Sequence, residues 1–126
     1  MNQDVRQIVS STQLKLRPYD RYGSVTPGMY WQPVSEDKET GACTFFLRFD
    51  PGISSTPHEH SEREEFLMLE GTLVEPDGTV FKAGDFVSYP AGSRHHSTSP
   101  DGCLLLVFLR ALNRRLAPGE REDQAA

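Results

Sequence analysis

Gly52-Ile53-Ser54-Ser55-Thr56-Pro57-His58-Glu59-His60-Ser61-Glu62-Arg63-Glu64 is the stretch of this 126-residue chain that decides its fold. Residues two apart on a β-strand share a face, so His58 and His60 can aim both imidazoles at one point while Glu59 points away. Ser61-Glu62-Arg63 is polar and suits a tight connection. The run Glu64-Glu65-Phe66-Leu67-Met68-Leu69-Glu70 then reads as a strand ending at Gly71, and a hairpin would return Glu64 to the histidine pair. The chain has four histidines, and the other two are His95 and His96, directly after Arg94. His95 must arrive from a third strand, a long-range contact normal in a β-barrel. Three imidazoles and a carboxylate suit divalent Fe, Mn, Co, Ni, Cu or Zn better than Ca or Mg, which prefer all-oxygen shells.

The rest of the chain reads as β throughout. Short candidate strands at 14–16, 29–33, 42–49, 56–60, 64–70, 72–75, 79–81, 85–89 and 103–110 are separated by Gly and Pro turns. That spacing predicts an all-β sandwich or barrel. Asp77-Gly78 between Val74 and Val80 is a hairpin signal. The polar residues 1–13 carry only Val5, Ile8 and Val9 as apolar side chains and are expected to add an edge strand, open to pairing with a second subunit. Residues 111–116 are expected to form a short helix, and 118–126 a mobile tail with almost nothing to bury.

The quoted stretch, continued to Gly71, follows the pattern G-x5-H-x-H-x3-E-x6-G. Gly84-Asp85-Phe86-Val87-Ser88-Tyr89-Pro90-Ala91-Gly92-Ser93-Arg94-His95 follows G-x5-P-x-G-x2-H. Together they resemble the two motifs of the cupins, with Ser99 where that family usually closes on Asn. Trp31-Gln32-Pro33-Val34, Thr40-Gly41, 64–71 and Asp101-Gly102-Cys103 resemble the ChrR-like cupins more closely. The resemblance implies an all-β fold, a single double-stranded β-helix (cupin, jelly-roll) barrel over 25–110, with an N-terminal extension at 1–24 and a short helix or tail at 111–126. It implies one divalent transition metal ion per chain on His58, His60, Glu64 and His95, with Fe2+ favoured and Mn2+, Ni2+, Co2+, Cu2+ or Zn2+ as alternatives. The group includes iron dioxygenases of diketones and hydroxyacetophenones, which tend towards three-histidine centres. It also includes the zinc-binding cupin domain of an anti-sigma factor. A metal-dependent dioxygenase acting on a small carbonyl or phenolic compound is the leading expectation. A non-catalytic metal-binding sensor and an isomerase or epimerase are the alternatives. The first thirteen residues contain no His or Cys, unlike the zinc-binding domain that precedes the anti-sigma cupin, which favours the enzyme.

Composition narrows the remaining classes. A net charge of −5 argues against phosphate-driven nucleic-acid binding. No apolar run approaches the roughly eighteen residues of a membrane span. The opening Met1-Asn2-Gln3-Asp4 lacks the basic and apolar regions of a signal peptide, so a cytoplasmic location is expected. The edge strand expected over 1–13 and the cupin resemblance imply a homodimer acting on a small-molecule substrate. Cys43 and Cys103, sixty residues apart, read as buried free thiols.

Four further residues are candidates around the centre. Phe66 and Met68 share a face with Glu64 and are expected to line the pocket. His96 should point outward if His95 points inward. Arg94 is the candidate contact for an anionic substrate at the pocket mouth, with a surface salt bridge as its alternative. On the strand 42–49, either Phe45, Leu47 and Phe49 or Thr44, Phe46 and Arg48 must face the interior.

Overall fold

Alternation of apolar and polar residues builds most of the molecule as one curled antiparallel sheet. The structure, a computed structural model, describes residues 5–123. Its long strands are β2 (Met29–Glu36), β3 (Cys43–Phe49), β6 (Glu64–Val74) and β11 (Cys103–Leu109). Short strands fill in around them: β1 (Arg17–Pro18), β4 (Ile53–Ser54), β5 (His58–Glu59), β7 (Val80–Lys82), β8 (Phe86–Tyr89), β9 (Arg94–His95), β10 (Thr98–Ser99) and β12 (Arg114–Arg115). The large sheet runs β1-β2-β3-β11-β6-β10-β4, with β7 and β8 also on β6, and a three-stranded sheet runs β12-β5-β9.

Phe45, Leu47 and Phe49 are the inward set of β3 and pack with Phe66, Met68, Leu105 and Val107 in the core. Trp31 is also core; its indole N–H donates to Asp20 at 3.2 Å, and its ring meets Tyr19 and Phe45 edge-on. Cys43 and Cys103 are buried free thiols. The hairpin around Asp77-Gly78 forms, with Val74 opposite Val80.

Beyond residue 69 the period of two breaks. On β6, Glu70 lies opposite Leu104 but Met68 lies opposite Leu105, so Leu69 is an extra residue in the ladder. Such a bulge reverses which parity faces inward. Phe66 and Met68 are buried before it, Leu73 and Glu75 after it. Gly71 stands just past the bulge at φ +75°, where a Cβ would come within 2.1 Å of the Gly102 carbonyl oxygen. Only glycine fits there, so the candidate strands 64–70 and 72–75 fuse into one.

Three expectations are corrected. No hairpin joins 58–60 to 64–70: β5 pairs with β9 and β12, whereas Glu64 pairs with Tyr89 and Leu109. The chain instead crosses from one sheet to the other between His60 and Glu64. No helix forms over 111–116, because Arg114 and Arg115 add a strand to β5, and the chain after them folds back so that the Asp123 N–H donates to the Arg94 carbonyl at 3.0 Å. The edge strand expected over 1–13 is absent among the described residues 5–13, where Val5 and Ile8 are exposed; residues 1–4 lie outside the described part. Too few apolar side chains occur there to cover a sheet edge, and β1 takes that place against β2.

Candidate metal centre

Two sheets deliver four donor atoms to one point. His58 and His95 are direct cross-strand partners in β5 and β9. His60 follows β5, where its backbone N–H donates to the Ser93 carbonyl at 2.9 Å. Glu64 comes from the start of β6 on the large sheet. Their ligand atoms all lie within 4.8 Å of one another. The His58 and His95 Nε2 atoms each stand 3.2 Å from His60 Nε2, and Glu64 Oε2 is 2.5 Å from it. His60 is fully buried and the Glu64 side chain is 12 % exposed.

Each ring is oriented by what its other nitrogen touches. His58 Nδ1–H donates to the Thr56 carbonyl at 2.6 Å. Ser93 Oγ donates to the Pro90 carbonyl at 2.7 Å, which leaves it to accept from His60 Nδ1–H at 2.7 Å. His95 Nδ1–H donates to Glu75 Oε1 at 2.5 Å. All three Nε2 lone pairs therefore face the Glu64 carboxylate. Four acceptors in contact require cationic charge between them, from a proton or from a metal ion. A borderline divalent metal fits this N3O set.

The electrostatics favour ligand-competent forms. Burial pushes His58 down to about 4, against the opposing pull of Glu64, so it is neutral near pH 7. Burial alone would raise Glu64, but its contact with the His60 ring and the neighbouring His58 and His95 imidazoles outweigh it and hold the carboxyl below its usual range. Glu75 is held low in the same way: desolvation is overcome by His95, Ser97 and Tyr89, whose N–H and hydroxyls all donate to it. Burial and that carboxylate together push the Tyr89 phenol up.

Glu75 escaped sequence reading. Counting by twos from Glu64 places it outward; the bulge at Leu69 turns it inward. The signal that could have found it is Gly71, whose positive φ marks the break.

The other candidates fall into place around a cavity of about 90 Å³ that His58, Glu64 and His95 share. Phe66 lines it, along with Phe45, Phe49 and Val107. Met68 does not; it lies deep in the core, 1 % exposed. His96 points away and its Nδ1–H donates to Glu122 at 2.5 Å. Arg94 is absent from the cavity wall: its Nε donates to Glu59 at 2.9 Å and its guanidinium also pairs with Glu120 at 3.2 Å. Of its two expected roles the structure assigns it the salt bridge.

With that geometry in place, comparison supplies the family. The ChrR Cupin-like domain profile matches residues 13–113, and the chain belongs to that family. Solved structures with the same fold include a candidate acetylacetone dioxygenase from Methylibium petroleiphilum PM1, 16% identical, TM-score 0.77, over 98% of this chain and 90% of that one. The acetylacetone dioxygenase from Acinetobacter johnsonii is 16% identical, TM-score 0.73, over 97% and 89%. ChrR of Rhodobacter sphaeroides, solved in complex with SigE, is 19% identical, TM-score 0.61, over 78% of this chain and 49% of that one. No curated protein sequence matches the chain. At these identities the likeness is one of fold.

Proposed function

We propose that this chain is a metal-dependent cupin enzyme, an oxidoreductase of the Fe(II) dioxygenase type that acts on a small carbonyl or phenolic compound. The observation carrying this reading is the convergence of His58, His60, Glu64 and His95 at the edge of an apolar cavity. Those four residues would hold the ion. A bound divalent metal supplies Lewis acidity to substrate oxygens and, as iron, redox chemistry with dioxygen. The protein contributes orientation and exclusion of water. Thr56, Ser93 and Glu75 fix the three ring tautomers. Phe45, Phe66 and Val107 give the substrate a dry wall. The cavity of about 90 Å³ opens directly onto the donor atoms of His58, Glu64 and His95.

The test is metal analysis of protein purified without a metal-affinity tag, followed by oxygen-electrode assays of the iron-loaded protein with acetylacetone and 2-hydroxyacetophenone. Iron at one ion per chain with oxygen uptake supports the enzyme. Tightly held zinc without turnover supports the second reading, a metal-binding sensor module, which the match to the ChrR Cupin-like domain favours. In the same proposal the protein works as a cytoplasmic homodimer, which would cover apolar surface such as the exposed Phe86–Phe108 pair. A light-scattering mass of one chain at micromolar concentration would rule the dimer out.

A further inference from the structure

The anion contact expected of Arg94 has a better-placed candidate. Strand β12 lies antiparallel to β5, with Arg114 opposite Glu59 and Arg115 opposite His58. Alternation sends Arg114 outward, where its guanidinium meets Glu120 at 2.7 Å and Glu59 at 3.2 Å. It sends Arg115 to the cavity side with His58, and Asn113, two residues earlier, shares that side. Both Asn113 and Arg115 line the cavity and Arg114 does not.

We propose that the cavity takes a small carboxylate-bearing compound, its carboxylate held by Arg115 and Asn113 at the mouth and its carbonyl or enol oxygen at the His58–His60–Glu64–His95 end. This rests on the metal-centre reading and narrows it to anionic substrates.

The charge pattern supports it. Arg48, Arg94, Arg110 and Arg114 each face a carboxylate of the protein. The Arg115 side chain has no ion pair or hydrogen bond among the described residues, although it stands across the ladder from a ring of the metal centre. Beside it, Asn113 Oδ1 is buried with no hydrogen-bond partner. The backbone N–H of Asn113 donates to the Tyr22 hydroxyl oxygen at 3.0 Å and so fixes where the amide sits. Turned about its terminal bond, that amide offers Nδ2–H to an anion. An arginine fork and an amide donor match a carboxylate's two oxygens. The same cavity has an apolar wall that includes Phe45, Phe49 and Leu105. A ligand fitting both ends is a short oxo or hydroxy acid.

Acetoacetate and acetylacetone have the same number of non-hydrogen atoms and differ in a carboxylate oxygen against a methyl group. Binding of each is measured by calorimetry on the zinc-loaded full chain, where zinc prevents turnover. Wild type should take acetoacetate at least about tenfold more tightly, the lower end of what a charge-assisted hydrogen bond confers. Arg115→Ala should abolish that preference, Arg115→Lys keep part of it, and Asn113→Asp weaken acetoacetate while sparing acetylacetone, all with unchanged zinc stoichiometry. The alanine variant separates the arginine from the metal's own attraction for anions. Equal or tighter acetylacetone binding in wild type overturns the proposal, as does a preference that survives Arg115→Ala. Should Arg115→Ala not fold, wild type and Arg115→Lys still decide by the same criterion. Wild type that takes up no zinc overturns the metal-centre reading and this one with it. Zinc bound without any acetoacetate preference overturns this one alone.

Discussion

The sheet built around β2, β3, β11 and β6 and the small sheet β12-β5-β9 meet at the same four donor atoms but are held together differently. Strands β3 and β11 pair over seven residues, from Cys103 opposite Phe49 to Leu109 opposite Cys43, with buried apolar side chains inside. Each ladder of the small sheet pairs only two residues. Its side chains are the imidazoles and Arg115 on the side of the centre and, on the other side, Glu59, Arg94 and Arg114, which form ion pairs among themselves and with Glu120. Two-residue strands with no apolar face cannot stand alone. The contrast separates two tasks. The large sheet supplies stability and one ligand, Glu64, on a fixed platform. The small sheet supplies His58 and His95 and depends on what sits between them.

The sharpest way to break this contrast is to damage the large sheet alone. Met68→Ala should cost about 2–5 kcal/mol of stability in metal-free protein, the usual range for deleting a buried Met side chain. Denaturant unfolding in the presence of a chelator measures it. Zinc stoichiometry of the folded fraction should not change, because Met68 is a core residue that neither lines the cavity nor supplies a donor atom. A variant that folds but loses its zinc would show that platform and centre are not separable. The converse test adds zinc. At a thousandfold excess over its dissociation constant, mass action gives about 4 kcal/mol in wild type. His60→Ala should show almost none of this. In hydrogen exchange the added protection should concentrate at β5, β9 and β12. Protection spread evenly through β3 and β11 would erase the distinction.

The same contrast explains what could be read before the structure. The long strands announce themselves by alternation: Phe45, Leu47 and Phe49 against Thr44, Phe46 and Arg48 leave little choice of face. Fixed spacings place His58, His60, Glu64 and His95 together without any knowledge of which strands pair. A hairpin is the natural local guess for a strand, three polar residues and a second strand. The real partners of β5 lie about 35 and 55 residues further along the chain, and nothing local encodes them. Residues 111–123 carry no period of two because ion pairs and backbone contacts, not an apolar face, hold them. Glu75 was hidden for a third reason, since one extra residue at Leu69 inverts every inward–outward assignment beyond it.

Glu75 sharpens the comparison further, because it is the large sheet's hold on a ligand of the small one. Its carboxylate accepts from His95 Nδ1–H at 2.5 Å. Glu75→Gln keeps the shape and an acceptor and removes the charge. Metal affinity should fall about 10–100-fold, as for other partners of metal-binding histidines. In proton NMR of the zinc-loaded protein, the His95 Nδ1–H resonance should move upfield in the variant while those of His58 and His60 stay. Wild-type affinity with an unmoved His95 proton would reduce Glu75 to a packing role.

The smallest effect should come from acid acting on the small sheet in metal-free protein. Burial holds folded His58 near 4, below the ordinary value of 6.5. Between those values an opened segment has already bound a proton that the closed one refuses. Stability of the closed sheet is therefore complete above about pH 6.5 and drains away as pH falls towards 4. The ion pairs outside do not follow the same course. Hydrogen bonds from Arg114 hold Glu120 near 2, and Arg94 and Arg114 lower Glu59, so both carboxylates stay charged through most of this window. The Leu116 N–H, which donates to the Pro57 carbonyl at 3.2 Å beside β5, is the reporter. Corrected for intrinsic rates, its exchange should quicken from pH 6.5 to 4 while amides of β3 and β11 hold their protection. His58→Gln should flatten that dependence. A Leu116 amide indifferent to pH in wild type, or equally sensitive in His58→Gln, would mean that the small sheet is closed by its outer ion pairs and not by the neutral ring at its centre.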